Sequence, residues 1–84
     1  MNWALHIRNK ARKSLRRFPE KEQGYIAETL REMKANPFSG DIIKLGEENA
    51  WRRRTGNYRV FYEIVSVEKL IYVYKIERRA SKTY

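Results

Sequence analysis

The chain contains no cysteine. Disulfides, thiolate metal sites and cysteine nucleophiles are therefore excluded, and the absence fits a reducing compartment. Histidine is nearly as scarce: His6 stands alone, so a histidine pair for acid–base chemistry cannot be built. The position expected for it is a partly buried place in a strand. With two prolines and four glycines in 84 residues, no Pro- or Gly-rich linker divides the chain, and residues 1–84 read as a single domain. No segment approaches the roughly 20 apolar residues that span a bilayer. The stretch "MNWALHIRNKARK" has only a short apolar run broken by charge, unlike a secretory signal. A soluble, cytoplasmic protein with no membrane contact is expected. The acidic residues are few and scattered: Glu20, Glu22, Glu28, Glu32, Asp41, Glu47, Glu48, Glu63, Glu68 and Glu77. None has metal-ligand spacing, and no Gly-rich loop precedes a helix. A metal nuclease, a kinase and a hydrolase triad are set aside, and neither metal nor cofactor is expected.

Positive charge is abundant. Nineteen Lys and Arg against ten Asp and Glu give a net charge of +9. A field of that sign favours polyanions such as RNA, DNA, acidic proteins or anionic membranes. Apolar residues make up 42% of the chain, enough for a folded core.

The periodicities give an α+β domain. In "NWALHIR" the residues Trp3, Leu5 and Ile7 alternate with Ala4 and His6, the two-residue period of a strand. "NKARKSLRRF" reads as a short helix with Asn9 as its N-cap. Ala11, Leu15 and Phe18 form its apolar stripe, and Lys10, Arg12, Lys13, Arg16 and Arg17 form its basic face. Pro19 opens a second helix, whose buried side is Ile26, Leu30 and Met33 flanked by Tyr25 and Thr29. It ends at Asn36-Pro37, because proline disfavours helix in the residue before it. "PFSGDIIKLGEEN" reads as a loop punctuated by Gly40 and Gly46, with Ile42, Ile43 and Leu45 tucked onto the core. "AWRRRT", "YRVFYEIV" and "LIYVYKIE" are strands, rich in β-branched and aromatic residues. The expected order is β-α-α-β-β-β, a twisted antiparallel sheet with both helices packed on one face.

Strand parity divides the arginines of "AWRRRTGNYRV". Side chains two apart share a face, so Arg52 and Arg54 point one way and Arg53 the other. On the next strand Tyr58, Val60, Tyr62 and Ile64 form the set that faces the helices, and Arg59, Phe61 and Glu63 form the opposite set. Arg52, Arg54 and Arg59 then converge on the open face. Each guanidinium can hold a phosphate by paired hydrogen bonds, and mutual repulsion makes the cluster costly without an anion. A merely solvated sheet face explains the same pattern. Without metal or a histidine pair, arginine and tyrosine can still cleave RNA. The 2'-hydroxyl is a built-in nucleophile that needs alignment and a proton acceptor, and guanidiniums stabilise the charge of the transition state. A tyrosine among cations is expected to have a lowered pKa, and to act as a base or to stack on a nucleobase.

The string "WRRRTGNYRVFYEI", the strand "LIYVYKI" and the basic ending "ERRASKTY" together resemble the RelE/ParE superfamily of bacterial and archaeal toxins, over nearly the whole chain. The resemblance implies a RelE-like, microbial-ribonuclease-like fold and the toxin role of a type II toxin–antitoxin system. In the RelE branch this means metal-independent endonucleolytic cleavage of mRNA in the A site of the 30S ribosomal subunit, leaving a 2',3'-cyclic phosphate and a 5'-hydroxyl. Matched residue by residue, it implies catalytic roles for Arg52, Arg54, Arg59, Arg78 and Tyr84. RNA contacts are expected as well for Lys10, Arg12, Lys13, Arg16, Arg17, Arg79 and Lys82, although a merely solvated helix face explains the five on the first helix nearly as well. Arg79 is an alternative occupant of the Arg78 role. Where well-known members carry lysines, Arg52 and Arg54 stand here, which suits clamping better than proton transfer. Arg53 takes a position that is usually apolar, and snorkelling of its head to the sheet edge is expected. The implied partners are an acidic, partly helical antitoxin, the ribosome and mRNA, with the toxin itself a monomer that oligomerises only through the antitoxin. A ParE-like inhibitor of DNA gyrase without nuclease activity is the alternative, and a general nucleic-acid-binding module is a third reading.

Overall fold

The computed structural model describes residues 3–46 and 49–78. In chain order the elements are β1 (Ala4–Ile7), α1 (Asn9–Arg16), α2 (Glu20–Ala35), β2 (Asp41–Leu45), β3 (Ala50–Thr55), β4 (Tyr58–Val65), a 3-10 turn (Ser66–Glu68) and β5 (Leu70–Arg78). The five strands form one sheet in the order β1-β5-β4-β3-β2. The α+β class and the helix pair followed by a strand meander are as expected from the sequence.

Three features differ from expectation. The segment read as a loop contains β2, an edge strand antiparallel to β3 from Asp41↔Arg54 to Leu45↔Ala50. Gly40 and Gly46, at φ 83° and 63°, punctuate the ends of a strand and not a loop. Ile43 consequently stands 44% exposed and does not tuck onto the core. The sheet is also mixed, because β1 runs parallel to β5. The two helices carry the chain across the sheet from the β1 edge to the β2 edge. Asn9 is the first helical residue of α1 and not its cap, since Arg8 holds the extended N-cap position without a capping side chain.

The core lies between the helices and one sheet face. Ala11, Ile26, Leu30 and Met33 meet Tyr58, Val60, Tyr62, Ile64, Ile71, Val73 and Ile76, with Leu5, Ile7, Leu15, Phe18 and Trp51 at its margin. β4 alternates buried and half-buried residues along its whole length. β5 does not: its buried residues Ile71, Val73 and Ile76 are spaced two and then three apart. A β-bulge explains this. Phe61 pairs with Lys75 and Tyr62 with Val73, so Tyr74 is the extra residue, and parity reverses across it.

Arg53 is the one basic side chain buried among the described residues, at 7% exposure. Its guanidinium bonds to Glu32 on α2 and to the carbonyl and hydroxyl of Ser39. It does not snorkel to solvent but ties α2 to the sheet. Gly40 makes room for it, since a Cβ there would lie 2.7 Å from the guanidinium carbon. Tyr62 makes a second internal tie, donating its hydroxyl to the Pro37 carbonyl at 2.8 Å. Burial pushes its phenol up to about 12, against a smaller lowering by nearby Arg53.

Two outcomes follow. Above the ordinary value of 10.0 the unfolded chain loses the Tyr62 proton while the folded chain keeps it up to about 12. Stability should therefore fall in that window by about 1.4 kcal/mol per pH unit. Denaturant midpoints across the alkaline range should show the slope, and Tyr62→Phe should remove it at a cost of about 1 kcal/mol at neutral pH. Glu32→Gln, which strips the buried guanidinium of its counter-charge, should lower the unfolding free energy by about 1–2 kcal/mol. Arg53→Met, which removes the charge and keeps most of the volume, should cost less.

Candidate nucleic-acid interface

The strand registers lay out the sheet face opposite the helices as three lateral rows. The first is Asp41–Arg54–Arg59–Glu77, one residue from each of β2, β3, β4 and β5. The second is Ile43–Arg52–Phe61–Lys75. The third runs Leu45–Ala50–Glu63–Tyr72 and continues onto β1 at His6. The β5 members of the first two rows owe their place to the bulge at Tyr74.

Arg54 and Arg59 are direct cross-strand partners, and Arg52 sits in the next row on the same face. The convergence read from strand parity is therefore present. Like charges directly opposite one another destabilise a sheet, and the flanking carboxylates offset this. Arg54 gives Nε and Nη2 to one oxygen of Asp41, both at 2.9 Å. Arg59 gives Nη1 to Glu77 at 3.1 Å, and Lys75 reaches the other Glu77 oxygen at 3.3 Å. The cluster is thus not the uncompensated one expected: two of its arginines already hold resident counter-ions. The Arg54 and Arg59 side chains remain 47% and 38% exposed, where such pairs are worth about 0–1 kcal/mol and can be exchanged for another anion. Arg52 differs from both. It is half-buried, and its Nε is enclosed without a hydrogen-bond partner among the described residues.

Aromatic side chains interleave with these cations. Phe61 lies 6.2 Å from Tyr74, ring centre to ring centre, and Lys75 sits 5.2 Å above Phe61. His6 is exposed and not partly buried as expected, because β1 turns Leu5 and Ile7 inward. It stacks on Tyr72 at 5.7 Å and 27°, and the Arg8 guanidinium lies 5.8 Å from the same ring. A shallow concavity of about 600 Å³ opens there, lined by residues that include His6, Arg8, Glu63 and Tyr72.

The remaining sequence-predicted residues are placed elsewhere. Arg78 ends β5 in register with Tyr58. That gives it the parity of the helix-facing side, so the register does not bring it into the Arg54–Arg59 row, and Glu77 takes the place beside Arg59. Lys10, Arg12, Lys13, Arg16 and Arg17 are all exposed on α1 or just beyond it, on the helix side of the sheet. Lys10 borders a concavity that it shares with Lys75 and Glu77 of the open face, so the basic helix meets that face at the β5 edge. Arg79, Lys82 and Tyr84 lie outside the described residues. Asp41, Glu77, Lys75 and Tyr72 were missed by sequence reasoning. Asp41 was hidden by the loop reading of β2, and the β5 residues by the unforeseen bulge. The uneven spacing of Ile71, Val73 and Ile76 was the available signal.

The arrangement is that of a known toxin fold. The structure superposes on the archaeal RelE–RelB complex from Pyrococcus horikoshii with a TM-score of 0.83 at 26% identity, covering 98% of this chain and 100% of that one. The isolated RelE toxin of E. coli gives 0.82 at 15% identity, covering 95% and 87%. The YoeB/ParE toxin from Agrobacterium tumefaciens gives 0.75 at 19% identity, covering 92% and 99%. In sequence, residues 5–82 match the family described as ParE toxin of type II toxin-antitoxin system, parDE. Among curated proteins none matches. The chain belongs to this family of type II toxins, within the RelE/ParE superfamily.

The resident carboxylates make a test of the face itself. Asp41→Asn with Glu77→Gln frees both arginines and should strengthen binding of single-stranded RNA and steepen its salt dependence. The change in folding stability should stay within about 1 kcal/mol. Filter binding over a salt series, with thermal melts alongside, measures both.

Proposed function

We propose that this toxin is a metal-independent endoribonuclease that cleaves mRNA in the ribosomal A site. The observation that carries the reading is the direct pairing of Arg54 with Arg59 on an exposed sheet face, with Arg52 in the adjoining row. Paired guanidiniums one strand apart can grip two oxygens of a single phosphate. They would displace Asp41 and Glu77, and their charge would count most as the phosphorus takes on its fifth oxygen. In the reaction the 2'-hydroxyl oxygen bonds to phosphorus, its proton passes to a base, and the P–O5' bond breaks. The products are a 2',3'-cyclic phosphate and a 5'-hydroxyl that takes up a proton. Arg52, Arg54 and Arg59 act as clamps. Tyr84 acts as the base or orders the substrate and Arg78 stabilises the scissile phosphate, both roles resting on the family resemblance, since the register alone does not bring Arg78 into the arginine row.

The same reading gives the partners. The chain acts as a cytoplasmic monomer on the ribosome with mRNA. Its activity is held in check by an acidic, partly helical antitoxin whose charge complements +9. Support comes from the solved complexes of similar fold, which pair RelE with RelB.

A second reading, inhibition of DNA gyrase without cleavage, is favoured by the family match itself, which is to ParE toxins. Induced expression in bacteria with 5'-end mapping of transcripts separates the two. Cuts within translated codons, lost in Arg59→Glu and reduced about 100-fold or more in Tyr84→Phe, are the expected result. Intact mRNA together with blocked supercoiling by the purified protein would replace the first reading by the second.

A further inference from the structure

The far row of the open face carries chemistry that phosphate binding does not use. Three acidic residues lie on this face in the registers above: Asp41, Glu63 and Glu77. Asp41 and Glu77 are bound by arginines. The side chain of Glu63, half-buried on a protein of net charge +9, makes no hydrogen bond or ion pair with any described residue. It instead lines the concavity beside Tyr72 and His6, its lateral neighbours in the row. Two stacked rings thus stand next to an unengaged carboxylate.

The mouth of the concavity is cationic. The Arg8 guanidinium lies 5.8 Å from the Tyr72 ring. α1 begins directly after it with no side-chain cap and no acidic residue in its first turn, so its first N–H groups and its positive dipole end are left for an anion. Along β4 the order of outward residues is Arg59, Phe61, Glu63. Four residues of strand, about 13 Å, separate the arginine row from the carboxylate.

We infer that the concavity formed by His6, Arg8, Glu63 and Tyr72 is a nucleobase subsite selective for guanine. An unstacked base lies against the Tyr72–His6 pair, as aromatic platforms take bases from single strands. Glu63 reads its Watson–Crick edge. Of the common bases only guanine offers two adjacent parallel donors there, N1–H and the N2 amino group, which match the two oxygens of a carboxylate. Adenine, cytosine and uracil each set an acceptor against one of those oxygens. Arg8 and the start of α1 hold the phosphate of the same nucleotide. As a sequence preference in cleaved RNA the inference rests on the ribonuclease reading above; as a binding site it does not.

The test is titration of the intact protein with each of the four nucleoside 5'-monophosphates, followed by two-dimensional NMR. Guanosine 5'-monophosphate should bind about tenfold more tightly than the adenosine compound, with shifts centred on His6, Arg8, Glu63 and Tyr72. Glu63→Gln should abolish the preference and leave weak binding of all four, whereas Tyr72→Ala should weaken all four alike. Thermal melts confirm that both variants fold, and Glu68→Gln, on the exposed 3-10 turn, serves as the charge-matched control. Equal binding of the four monophosphates, no shifts at the four residues, or a guanine preference that survives Glu63→Gln would overturn the assignment. A preference seen in a protein that leaves mRNA intact would retain the subsite and reject the nuclease. Cleavage of mRNA without any preference among the monophosphates would do the reverse.

Discussion

β4 has neighbours on both edges and helices over one face, and its side chains must alternate between two environments. Tyr58, Val60, Tyr62 and Ile64 are each no more than 3% exposed, which anchors the register of the strand: a slip of one residue would drive four core side chains into solvent. With that register held, Arg59, Phe61 and Glu63 have no choice of face. The outward row of the central strand is therefore a by-product of the inward one. A cation, an aromatic ring and a carboxylate are presented in a line at intervals of roughly 7 Å. Everything proposed about nucleic acid on this surface inherits its geometry from the burial on the other side.

The three consecutive arginines of β3 show how far backbone geometry overrides residue type. Arg54 is half in solvent and held by Asp41. Arg53 is buried, closing α2 onto the sheet through Glu32 and Ser39. Arg52 lies between Ile43 and Phe61 in its row, where its stem covers apolar surface. One is exchangeable surface charge, one is structural, and one is intermediate. The carboxylates on the open face reduce repulsion in the free protein while leaving the arginines accessible. Binding of a phosphate on this face would then be an exchange of anions rather than the filling of an empty pocket, and the displaced carboxylates would blunt its dependence on ionic strength.

Much of this was legible in the sequence because local patterns were strong. The β4 string alternates strictly, the α2 stripe of Ile26, Leu30 and Met33 has helical spacing, and parity alone separates Arg53 from Arg52 and Arg54. What was not legible has physical causes of two kinds. β2 is an edge strand with an exposed isoleucine and glycines at both ends, so its sequence carries no clean inside–outside contrast. The counter-ions and the Tyr72–His6 pair arise from contacts between strands distant in sequence: β1 meets β5 across more than sixty positions. Local periodicity holds no information about such pairing. Arg53 shows a third limit, since a charged residue at an inward position announces a partner without naming it.

The bulge at Tyr74 sets the phase of β5. Before it, odd-numbered residues face the core, as Ile71 and Val73 do; after it the even-numbered Ile76 does. Lys75 and Glu77 reach the outer surface only through that change of phase. Deleting one residue there, or inserting one, would bring charged side chains inward and Ile76 outward, although the composition of the strand would hardly change. Substitutions along β5 can be absorbed one side chain at a time, but its length cannot drift. Among relatives that share this sheet, the number of residues between the last two core positions of the final strand should therefore be more constant than their identities.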